Sequence, residues 1–159
     1  MRAYLSILTE FFERDLMKVR EEVNLYEQEE KMWTLCPGIN NTAGNLVLHL
    51  IGNLNHFIGA TIGHSGYTRH RETEFSTRDV SREMLLSMID NTIEVVNATL
   101  ANFPEEDLSK DFPLDKHGNR VTNAYMLTHL LTHLNYHLGQ INYHRRIICS
   151  QSINVHTGI

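Results

Sequence analysis

Apolar and polar positions alternate along this chain with a helical period over four long stretches. In the first, Tyr4 to Glu29, the residues Leu5, Leu8, Phe12, Leu16, Val19, Val23 and Tyr26 recur at three- or four-residue steps, with acidic residues opposite. A polar EQEEK and a CPG turn end it. Asn40, Asn41 and Thr42 then offer N-caps for a second helix through AGNLVLHLIGNLNHFIGATIGH, which is apolar on nearly every side and is therefore expected to be buried. The segment SGYTRHRETEFSTRDVS is polar and aperiodic and reads as a loop, of a length that usually has a functional or interface reason. A third helix follows from about Ser81 to Ala101, with Met84, Leu85, Met88, Ile89, Ile93, Val96 and Leu100 on its stripe. In the next connection DKHGNR resembles a tight turn between two short extended pieces, and Thr122 or Asn123 can cap a fourth helix running to about Ile148. Four amphipathic helices with almost no strand signal predict an all-α four-helix bundle, and 159 residues suffice for a single domain over 1–159 with its own core.

Composition narrows the function classes. With 42% apolar and 21% charged residues the chain is of globular type, and no apolar run approaches the roughly 18 residues of a membrane span. The N-terminal apolar stretch is interrupted by Glu10, Glu13 and Asp15, so it reads as the first helix and not as a signal peptide. A net charge of −5 with scattered basic residues disfavours nucleic acid, where clustered Lys and Arg must supply the affinity. Cys36 and Cys149 have no C-x-x-C pairing, which fits a reducing cytoplasm.

Histidine changes this picture. Four of the ten histidines, His129, His133, His137 and His144, lie in THLLTHLNYHLGQINYHRR, the first three at four-residue steps on one helix face. Residues four apart on a helix can bring two imidazoles to one ion through metal–nitrogen bonds of about 2.0–2.1 Å. His129 and His137 lie roughly 12 Å apart along the axis, so one pair ligates, either His129 with His133 or His133 with His137, and one histidine is left over. A further ligand is expected from a facing helix, where the second helix offers His49 or His56. His49 sits in LVLHLIG, where an unpaired imidazole is costly to bury. His64, His70, His117 and His156 fall in loops or the tail and are expected to be solvated.

LVLHLIGNLNHF (46–57) and HLLTHLNYHLGQI (129–141) resemble the His-bearing second helix and the fourth-helix H-x-x-x-H-x-G-Q motif of the DinB-like superfamily, which includes YfiT-like metal hydrolases and thiol transferases. The resemblance spans nearly the whole chain in helix order. It implies an up-down-down-up bundle, a divalent metal, commonly zinc or nickel, on His49, His133 and His137, and a homodimer. His129 and His56 then take supporting roles. Relatives often carry Arg where this chain has Leu138, so any role of that Arg is absent or displaced here. The implied activity is transfer of a low-molecular-weight thiol to an electrophile, with metal-dependent hydrolysis or a non-catalytic stress-response scaffold as alternatives. No Glu or Asp falls on the expected ligand faces, leaving Asn53, Gln140 and Tyr136 as polar candidates, which favours thiol activation over hydrolysis.

Overall fold

In the computed structural model, which describes residues 2–149, helices α1 (Arg2–Asn24), α2 (Ala43–Leu54), α3 (Arg71–Ser76), α4 (Arg82–Asn102) and α5 (Asn123–Cys149) follow in order. Single 3-10 turns, Glu29–Trp33 and Glu105–Ser109, sit in the connections after α1 and α4. Among the described residues there is no strand, only isolated bridges such as Lys116 to Asn119 around the expected tight turn. The tail residue His156 lies outside the described residues.

The expected stripes form the core, except that Met84, placed on the stripe of the third predicted helix, lies exposed in the first turn of α4. Leu8, Phe12, Leu16, Val19 and Val23 of α1 pack with Leu85, Ile89 and Val96 of α4 and Leu127, Leu130, Leu134 and Ile141 of α5, all almost fully buried. Every residue of α2 is buried, as its all-round apolar composition requires. Three hydroxyls cap the helices: Thr42, Ser81 and Thr122 each accept from the backbone N–H three residues on, at 3.2 Å. α1 stops at Asn24, five residues before the expected end, although Tyr26 stays buried.

Side-chain pairs fix the helix directions. Tyr4 reaches Ala124 and Thr128, Asp15 reaches Asn135, and Glu22 reaches Asn142 and Arg145, so α1 and α5 run parallel. Arg20 pairs with Asp90 and Asn97 donates to Glu13, so α4 runs antiparallel to α1. Asn55 meets Thr92, while Gly59 and Gly63 lie against Val95 and Thr99, which makes α2 parallel to α4. The topology is up-down-down-up, with the faces of α2 and α5 opposed.

Two features depart from the simple periodic reading. Beyond Leu54 the hydrogen bonding of α2 widens to π spacing over Asn55–Ile62, seen where the Gly63 N–H donates to the Ile58 carbonyl at 2.9 Å. The presumed loop SGYTRHRETEFSTRDVS contains the six-residue α3, bound to α2 because the Asn45 Nδ2 amide donates to the carbonyls of Glu74 and Thr77, both at 2.9 Å.

Candidate metal centre

His49 projects from the middle of α2 toward α5, where His133 and His137 stand one turn apart. The His133 Nε2 lies 3.2 Å from His49 Nε2 and 3.1 Å from His137 Nε2, and one ligand atom from each of the three falls within 4.8 Å of the others. Imidazoles around one tetrahedral ion, with bonds of about 2.0–2.1 Å, place neighbouring nitrogens roughly 3.3 Å apart. The spacing fits an ion.

Hydrogen bonds on the far ring nitrogens support the same fit. His49 donates from Nδ1 to Glu74 Oε2 at 2.9 Å, and His137 donates from Nδ1 to Gln140 Oε1 at 2.6 Å. Both tautomers therefore aim an Nε2 lone pair at His133 Nε2. A proton there serves only one of its two neighbours, and His133 Nδ1 is itself buried without a hydrogen-bond partner. A cation at the convergence point satisfies all three lone pairs, which no proton arrangement among neutral rings does. These three histidines could hold a metal ion.

The electrostatics keep the rings neutral. Burial pushes the His49 imidazolium down in pKa, against the opposing pull of Glu74. Burial, then the neighbouring His137 and His49, pushes His133 down to about 3, and burial likewise lowers His137. Neutral imidazole is the form that ligates.

The residue that sequence reasoning missed is Glu74, a carboxylate that reaches His49 from α3, outside the ligand faces on which none was expected. Its side chain is buried under α2, where Arg69 donates to Oε1 from Nε at 2.7 Å and to Oε2 from Nη2 at 2.9 Å. The fork neutralises a charge that is otherwise costly to bury, and the carboxylate in turn orients His49. Gly52 makes the room: a Cβ there would lie 2.1 Å from Glu74 Oε1. A charged residue on a six-residue helix leaves no periodic signal. The spacing of Gly52 and Asn45 about His49 on α2 is the trace that was available.

The remaining candidates separate cleanly. His129 stacks at 6.2 Å from the His133 ring but is not in the cluster, and His56 packs on Phe57 at 4.7 Å, outside it. Tyr136 is 65% exposed beside the His137 ring, and Asn53 is buried on a neighbouring wall. Leu138 belongs to the core and contributes packing. His64, His70 and His117 are exposed as expected. His144 is buried and structural: it donates from Nε2 to the Thr34 carbonyl at 2.8 Å, and its Nδ1 accepts from the Tyr26 hydroxyl at 2.7 Å.

No helix among the described residues is long and apolar enough to cross a membrane. The family model described as "Protein of unknown function (DUF1572)" matches residues 1–157. No curated protein matches the chain. A solved structure described as the crystal structure of the conserved protein of locus from Enterococcus faecalis aligns with a TM-score of 0.74, over 92% of this chain and 97% of that one, at 17% identity. That likeness is one of fold.

Proposed function

The chain belongs to the DUF1572 family, a DinB-like family, and on that premise we propose that it is a single-domain, cytoplasmic, metal-dependent enzyme whose ligands are His49, His133 and His137. The observation that supports this most is the convergence of three Nε2 atoms with two of the tautomers fixed from behind. We assign zinc or nickel as the ion, because imidazole nitrogen suits both. An ion with three neutral imidazole ligands keeps a fourth position open and supplies the Lewis acidity that makes a thiol or water nucleophilic at neutral pH.

The chemistry we assign is transfer of a low-molecular-weight thiol to an electrophilic carbon. The sulfur–carbon bond forms, the leaving group departs with its electron pair, and the thiol proton passes to solvent. Glu74 takes no part as a base, because Arg69 and His49 occupy both its oxygens; it holds the His49 ring in place. A second reading is metal-dependent hydrolysis, favoured by Asp115, an exposed carboxylate on the wall of the cavity beside His49 and His133. Nucleic acid and membrane play no part in either reading. A homodimer is proposed from the family resemblance, and light scattering at micromolar concentration tests it: a monomeric mass removes it.

The test of function is metal content of untagged protein, followed by turnover with a panel of thiols and a chromogenic electrophile. Metal-dependent, thiol-selective turnover that falls in a folded, metal-poor His49→Ala variant supports transfer. A metal-loaded protein inert toward every thiol favours hydrolysis if esters are cleaved in an Asp115-dependent way, and a scaffold if they are not.

A further inference from the structure

A cavity of about 480 Å³ opens against His49 and His133 between α2, α5 and the turn that carries Lys116. Its wall includes Asn53, only 7% exposed, whose Oδ1 has no hydrogen-bond partner. A buried amide oxygen left unpaired is costly unless a ligand donates to it. Two cations also line the cavity. Among the described residues neither Arg71 nor Lys116 forms an ion pair: Arg71 lies over the Phe75 ring at 5.4 Å and Lys116 over the Tyr125 ring at 5.5 Å. The charge of Arg69 is already matched by Glu74. Against Arg71 and Lys116 stands one carboxylate, Asp115, and the remaining lining includes the apolar Met126, Leu130 and Phe57.

We infer that this cavity is a subsite for a small amphipathic carboxylate, with its anionic head between Arg71 and Lys116, its apolar body on Phe57 and Leu130, and an N–H or O–H donor aimed at Asn53 Oδ1. The inference deepens the proposed function by naming a substrate class, and it rests on that reading only in calling the occupant a substrate. In the metal-free protein one surplus positive charge on the walls matches a monoanion. A phosphate monoester, at about −1.5 to −2 near pH 7, exceeds it.

The test titrates N-acetylleucine and its uncharged analogue N-acetylleucinamide into metal-free and zinc-loaded protein, with phenyl phosphate as the dianionic comparison. Binding is followed by NMR shifts and calorimetry. The carboxylate should bind about fivefold more tightly than the amide, the scale of a partly exposed charge-assisted contact. The Arg71→Gln/Lys116→Gln double variant, whose substitutions lie outside the core, should lose that preference while keeping its circular dichroism. Asn53→Leu should weaken both acyl ligands alike. In the metal-free protein, equal affinity for acid and amide, a preference retained in the double variant, tighter binding of phenyl phosphate, or no binding at all overturns the inference. The two readings fail separately: a carboxylate preference that persists in metal-free His137→Ala, a residue off the cavity wall, supports the subsite whatever becomes of the metal proposal. Zinc binding with no carboxylate preference removes the subsite alone.

Discussion

Glu74 and His49, 25 residues apart in sequence, meet at 2.9 Å between a carboxylate oxygen and an imidazole Nδ1. The contact fixes which nitrogen of His49 is free to ligate, and Arg69 fixes the carboxylate. Replacing Glu74 by Gln removes the charge, weakens the Arg69 fork and lets the His49 tautomer relax. Metal affinity should fall roughly 10- to 100-fold, measured by competition with a chromophoric chelator. Unchanged affinity would show that the carboxylate only packs.

Gly52→Ala tests the same relationship from the other side. A Cβ would sit 2.1 Å from Glu74 Oε1, and that oxygen cannot swing away without leaving Arg69. Ala otherwise favours a helix interior by about 1 kcal/mol over Gly, so displacement of the carboxylate and the gain in propensity oppose each other in stability. Metal affinity has no such offset. The carboxylate's displacement is the larger effect, so the expected variant has lowered urea stability and weakened metal binding; full affinity would mean that α3 shifts as a unit.

For the ligands themselves, His133→Ala should remove most bound metal, because it deletes the ring that faces both others, and His137→Ala should do nearly the same. His129→Ala and His56→Ala should leave metal content near one ion per chain. Elemental analysis of the four variants decides it, and the reverse pattern would put the ligand set elsewhere.

How much of this was legible in the sequence depended on whether a residue took part in a period. The α1, α4 and α5 stripes repeat at helical spacing, so the bundle could be read directly, and the same spacing brought His133 into the cluster with either His129 or His137. Spacing alone left His129 against His137 and His49 against His56 open; the π widening from Asn55 is one local irregularity that no periodic argument contains. α3 was invisible for a different reason. Its buried residue is an ionised Glu74 whose burial is made tolerable by Arg69, and a salt-bridged pair five residues apart looks like any polar loop. The ligand faces of α2 and α5 carry no carboxylate, and Glu74 comes to His49 from outside them.

A buried ion pair away from the centre gives a stability prediction. Glu22 and Arg145 are 2% and 1% exposed and meet at 2.5 Å across α1 and α5, with Asn142 donating to Glu22 at 2.7 Å. Arg145→Met strands the carboxylate and should cost about 3–5 kcal/mol in urea unfolding. Adding Glu22→Leu to it should restore part of the loss, since no charge is then left buried. A double variant as unstable as the single would locate the cost in packing and not in charge.

The pH dependence of stability in metal-free protein follows from the lowered histidines. His133 is pushed down to about 3 by burial and then by His137 and His49, and burial lowers His49, His137 and His144 as well. In each case the folded-state value lies below the unfolded one near 6.5, so on acidification the unfolded chain takes up protons first. The stabilisation is fully present above about pH 6.5 and is lost as the pH falls toward the folded values, which for His133 means a loss continuing toward about 3. The urea midpoint should therefore be lower at pH 5 than at pH 7.5. His133→Gln removes one titrating ring that the fold keeps neutral, so the difference between the two midpoints should shrink. Equal differences in wild type and His133→Gln would mean that the His133 ring is as free to protonate in the folded bundle as in the unfolded chain, contrary to its half-buried place between two other imidazoles.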